Sequence, residues 1–110
     1  MAQYLLQISY TPEAWAALIK KPENRAEAVR AAIEKLGGTE RGFWFSFGDN
    51  DIIGILEMPD NVSAAAFSVA IGGGGACRAV KTTPLLSIEE GIEAMKKVAT
   101  CGYKPATRTK

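Results

Sequence analysis

Four stretches of this chain read as strands, and each is stopped by a turn signal: "QYLLQISY", "GFWFSF", "DIIGILEM" and "ACRAVKTTPLL". What separates them constrains the fold most. The outer pairs are separated by helix-length sequence, whereas the middle pair is joined only by "GDND". A short link of turn residues joins antiparallel neighbours in a hairpin, and a helix-length link permits a crossover. The order is therefore strand, helix, strand, strand, helix, strand, with one further helix after the last strand. This is the split βαβ pattern of ferredoxin-like folds. Right-handed crossovers then give an α+β sandwich, a βαββαβ unit whose antiparallel sheet runs 4-1-3-2, with the helices on one face and an extra C-terminal helix.

Each element has a local reason. Tyr4, Leu6, Ile8 and Tyr10 alternate with Leu5, Gln7 and Ser9, the period of a strand with two different faces. Thr11 caps a short helix at Pro12 that carries Trp15, Leu18 and Ile19 and breaks near Pro22. A longer helix follows through Ala26, Val29, Ile33 and Leu36, and Gly37-Gly38 give the left-handed exit. The second strand sets Phe43, Phe45 and Phe47 against Trp44 and Ser46, aromatics expected in a core or interface. Pro59 ends the third strand. Asp60 or Asn61 caps the next helix, where Val62, Ala66, Val69 and Ala70 form a stripe with Phe67 and Ile71 beside it, until Gly72 to Gly75 stop it. In the fourth strand Cys77, Ala79 and Lys81 share one face and Arg78, Val80 and Thr82 the other, closing near Pro84. Ser87 and Glu90 form a capping box for a last helix lined by Ile88, Ile92, Met95 and Ala99, with Lys96 and Lys97 at its negative end. Residues 1–99 make one domain and 100–110 a tail without periodicity.

Composition excludes several functions. A chain of 110 residues is sized for a single core. A formal charge of +1 gives no broad footprint for nucleic acid or an anionic membrane, and no apolar run is long enough to span a bilayer. The N-terminus lacks the pattern of a signal peptide, so the expected location is the cytoplasm. The absence of histidine removes histidine-dependent triads and the commonest metal ligand. Cys77 and Cys101 are expected as reduced thiols, with no zinc-ligand spacing, and neither metal nor cofactor is expected. The four glycines follow a helix instead of preceding one, the wrong end for a phosphate cradle.

The run "KPENRAEAVRAAIEKLGGTERGFWFSFGDNDIIGILEMPDNVSAAAFSVAIGGGGACRAVKT" resembles the GYD domain family. The resemblance spans about Gln3 to Glu90. Its marks are Arg25-Ala26, Gly37-Gly38, Gly48 with Asp51, Glu57 with Pro59-Asp60, and Gly75 with Arg78. It implies a small bacterial or archaeal protein, mostly of unknown function. Where the family motif has tyrosine before its aspartate, this chain has Asn50. Asparagine tolerates a left-handed turn, so Gly48, Asn50 and Asp51 are expected as hairpin geometry, with Gly48 or Asn50 at positive φ and Asp51 bonding amides of the turn.

The candidate site follows from the sheet. One face of it is bare in a monomer, and burying it needs the extra helix, a ligand or another subunit. Glu57, on the face of Ile53 and Ile55, is expected either to form a polar centre with Arg78, as a buried pair or the floor of a ligand pocket with Gln7 or Ser9 completing the bonds, or to stand solvated, as Arg78 would, at a strand end; the ligand-binding candidates are Glu57, Arg78, Gln7, Lys81 and Trp44. The expected partners are further copies of the chain and a small-molecule ligand. The function expected is an oligomeric ligand-binding or regulatory module; the alternative is a cofactor-independent enzyme of the dimeric α+β barrel kind.

Overall fold

The computed structural model describes residues 1–106. Its elements are β1 (Ala2–Tyr10), α1 (Pro12–Lys20), α2 (Arg25–Lys35), β2 (Thr39–Phe45), β3 (Ile52–Met58), α3 (Asn61–Gly73), β4 (Cys77–Leu85) and α4 (Ile88–Cys101). The strands form one sheet in the order β2-β3-β1-β4, with every neighbouring pair antiparallel. The α+β class with a four-stranded antiparallel sheet and four helices matches the expectation.

The core lies on one side of the sheet. Tyr4, Leu6 and Ile8 of β1 and Leu56 and Met58 of β3 are buried there under Ile33 of α2 and Ala64 and Phe67 of α3. The buried Tyr4 hydroxyl donates to Asn61 Oδ1 at 2.6 Å, so its polar tip is satisfied at the start of α3. Ser68 and Thr82 share a hydroxyl hydrogen bond that ties α3 to β4. Arg30 Nε donates to Glu40 Oε1 at 2.9 Å and ties α2 to β2. Gly54 lies under the ring of Phe43, where no side chain fits.

Capping chemistry sets the helix starts as expected at Thr11 and at Ser87, whose capping box with Glu90 is complete. For α3 the cap is Asp60, which accepts from the Ser63 amide at 2.8 Å. Gly37, at φ +87°, lets the chain leave α2.

Several expectations are corrected. The stripe of α3 that faces the core is Ala64, Phe67 and Ile71, while Val62 and Val69 are 80% and 72% exposed. This helix is apolar nearly all round, so spacing could not single out a face. It also runs two residues into the glycines, to Gly73. Strand β2 ends at Phe45, leaving Phe47 in the loop and 99% exposed. Cys77 packs on the core side with Val80, because a register shift at Ser9/Tyr10 resets the alternation of β4. The strand closes at Leu85, next to Pro84 as expected, and an edge strand tolerates the proline. Helix α4 extends to Cys101, so Lys96 and Lys97 lie inside it and no basic residue occupies its last turn. Of the expected tail, residues 107–110 lie outside the described part.

Candidate functional site

The side of the sheet opposite the core carries Gln3, Leu5, Gln7 and Ser9 of β1. The pairing places Glu57, Ile55 and Ile53 of β3 beside Gln3, Leu5 and Gln7, and Leu85, Thr83 and Lys81 of β4 on their other flank. From β2, Gly42 and Trp44 stand beside Ile55 and Ile53. Three of the expected site residues, Lys81, Gln7 and Trp44, therefore share one row across the sheet, with Ile53 between Gln7 and Trp44. On this side Leu5, Gln7, Ile53 and Ile55 are half-buried and Ser9 is buried, while Trp44 is 57% exposed, its ring folded over Gly42. Leu5, Ile53 and Ile55 make an apolar strip on this face, with an amide, an ammonium and an indole along one line.

Glu57 has a different partner from the one expected. Arg41 Nη2 donates to Glu57 Oε1 at 3.0 Å and Gln3 Nε2 to Oε2 at 3.3 Å. These bonds, that of Arg41 first, hold the carboxyl below its ordinary range. Arg78 cannot join them. It stands in the irregularity beside Tyr10, seven residues along β4 from the row of Gln3 and Leu85, or about 23 Å at strand rise. The bulge between Glu40 and Gly42 is what brings Arg41 to Glu57.

The family motif residues form a clamp at the opposite end. The link between β2 and β3 is longer than a tight turn and closes by a bond from Ser46 N to Asp51 O at 2.9 Å. Gly48 is at φ +127° and among the described residues no non-glycine has positive φ, so Asn50 does not take the left-handed position. Asp51 reaches out of the turn. Its Oδ2 accepts from Tyr10 N at 2.8 Å and from Trp15 Nε1 at 3.3 Å, while its own amide donates to Ile8 O at 2.8 Å. Ser9 Oγ donates to Asp49 O at 3.1 Å. The motif thus fastens the loop to the end of β1 and orients Trp15, which meets Tyr10 edge-on and stacks on Phe45.

Beside this clamp a cavity of about 310 Å³ opens between the start of α2 and the sheet, lined among others by Asn24, Arg25, Phe43 and Ile52. A narrow extension reaches Tyr10, Ile8 and Val29. Burial raises the Tyr10 hydroxyl above its ordinary value, with Cys77 and Asp51 adding to the effect. Burial likewise pushes the Cys77 thiol up, so it is not an activated nucleophile. The sequence reading missed this cleft; Arg25-Ala26, adjacent to a helix cap, was the available signal. A larger hollow of about 740 Å³ lies at the root of α4, lined among others by Gln3, Tyr4, Asn61, Pro84, Ser87 and Glu90. Glu57 lines none of these cavities. Among the described residues no group of acidic or cysteine side chains is placed to hold a metal ion, and no helix is long and apolar enough to cross a membrane.

The family model described as GYD domain matches residues 4–95, which takes in the sheet, the clamp and most of α4. No curated protein matches the chain.

Proposed function

The chain belongs to the GYD domain family, and from that premise we propose that it works as a homo-oligomeric module that binds a small ligand on its open sheet face. One observation carries the reading: Lys81, Gln7 and Trp44 lie in a single row across the side of the sheet away from the core, beside the apolar Leu5, Ile53 and Ile55. The ammonium of Lys81 favours an anionic oxygen, the Gln7 amide can donate or accept, and the Trp44 indole offers a flat face. The ligand class is therefore a small, flat, partly apolar anion. Binding sites bury most of their ligand, which a one-sided sheet cannot do, so a second subunit closes the site. The order β4-β1-β3-β2 with helices on one face supports assigning the domain to the ferredoxin-like arrangement, whose free face is available for this purpose.

The enzyme reading requires a titratable group enclosed in a pocket. Glu57, paired with Arg41 on the open face, gives it no support.

Native mass spectrometry on protein purified without denaturation, followed by melting curves with small aromatic carboxylates, tests the proposal. The expected result is an oligomer whose melting temperature rises with an aromatic carboxylate. In Lys81→Ala and Trp44→Ala the rise disappears while the oligomer persists. A protein with no retained mass and no response to any such carboxylate would overturn the ligand-binding part.

A further inference from the structure

Helices α1 and α2 are joined by Lys21 to Asn24, and beneath this link the helical layer leaves the corner of the sheet partly uncovered. Phe45, on the side of Phe43, stacks on Trp15 and is still 68% exposed. The cavity of about 310 Å³ occupies this gap, with Phe43, Phe45 and Ile52 along the sheet and the exposed Glu23, Asn24 and Arg25 at its rim. Its narrow extension, about 40 Å³, runs on between Ile8 and Val29. Arg25, Ala26, Phe43 and Ile52 line both parts, so the two are continuous.

The rim carries one charge of each sign. Arg25 Nη1 lies 3.6 Å from Glu23 Oε1, too far for a hydrogen bond, and both side chains are half-exposed. Such a contact is weak, and both groups keep bonding capacity for a third. Between them Asn24 spends its Oδ1 on the Ala26 amide, which leaves its Nδ2 as a donor.

We infer that this cleft, apart from the open sheet face, binds a free α-amino acid with a branched aliphatic side chain. The carboxylate lies on Arg25 and Asn24 Nδ2, the ammonium on Glu23, and the side chain runs along Phe43 and Ile52 with its end in the extension. Charge selects the head group. A simple anion drawn to Arg25 would meet Glu23, and a simple cation drawn to Glu23 would meet Arg25. A zwitterion satisfies both, because its two charges are themselves close neighbours. Volume selects the rest. A space of about 310 Å³ holds about ten waters at roughly 30 Å³ each, near the lower bound of small-molecule sites and suited to one amino acid. The extension, about 40 Å³ and lined mainly by apolar side chains, admits a group the size of a methyl and is too narrow for an aromatic ring.

Trp15 reports on this cleft, because the Phe45 ring on which it stacks lines the cavity. In the full-length chain with Trp44→Phe and Lys81→Ala, Trp15 is the one remaining tryptophan and the row on the open face is gone, so no response can come from there. Titration with L-leucine should change Trp15 fluorescence saturably, with half-saturation on the order of 1 mM for charges that stay partly solvated. 4-Methylpentanoate lacks the ammonium and leucinamide lacks the carboxylate; each should bind at least tenfold more weakly, as should phenylalanine with its ring. Glu23→Gln and Arg25→Gln change only exposed side chains, and each should weaken leucine binding at least tenfold. No saturable response to leucine overturns the inference. A response to 4-methylpentanoate as tight as that to leucine overturns the zwitterion, and leucine binding unchanged in both rim variants overturns the cleft as its site. The melting test of the open face depends on Lys81 and Trp44, which this background lacks, so either reading can fail without the other.

Discussion

Asp51 accepts one hydrogen bond from the end of β1 and one from the indole of Trp15, so a single carboxylate fixes a strand end, a loop and the first helix. Asp51→Ala leaves both donors without their partner and should destabilise the fold by about 1–3 kcal/mol. Urea unfolding followed by tryptophan fluorescence reads this directly, and an unchanged midpoint would refute the structural role. Gly54 is constrained sterically. A methyl group there would enter the ring of Phe43, so Gly54→Ala should cost about 1–3 kcal/mol. Trimming the obstacle with Phe43→Leu should recover part of the loss, and additive losses would contradict the collision. At this scale the sequence identified the right residues at Gly48 and Asp51 but not their partners. Tyr10 and Trp15 are distant in the chain from Asp51, and only the folded sheet end makes them neighbours.

At the scale of elements, legibility followed the asymmetry of the local pattern. The alternation of β1, the Thr11 cap and the Ser87-Glu90 box each contrast polar with apolar positions, and the structure reproduces them. Helix α3 has almost no polar positions between its cap and its glycines, so nothing local could say that Phe67 and not Val69 faces the core. The pairing of Glu57 failed for a related reason: a bulge moved Arg41 to it, and sheet register placed Arg78 at the far end. Two carboxyls then give a test in pH. Bonds from Ser63 hold Asp60 below its ordinary range, and bonds from Arg41 and Gln3 do the same for Glu57. A lowered folded value means that the stabilisation is fully present above the unfolded carboxylate range, about pH 4, and is lost as pH falls through the folded value. Asp60→Ala should therefore lower the melting temperature at neutral pH, with the difference from the parent shrinking as the solution is acidified below that range. A difference independent of pH would rule out the ionised cap. Asp60 is exposed and Glu57 is half-buried but paired with an exposed Arg41, so the effects are small and the Glu57 part should weaken with salt.

At the scale of the whole molecule, one chain presents half-buried Leu5, Ile53 and Ile55 on the sheet side away from the core, an exposed apolar helix face and an elongated outline. These features belong together if the face is an assembly surface. Ile55 lies near its centre, between Leu5 and Gly42, on the side away from the core. Sedimentation equilibrium of the parent chain and of Ile55→Glu at micromolar concentration measures this most directly. The parent should sediment as a whole multiple of 11.8 kDa, and Ile55→Glu as a folded monomer with the circular dichroism of the parent. A parent that sediments as a monomer, or an Ile55→Glu variant that keeps the parent's mass, would contradict assembly through the open sheet face.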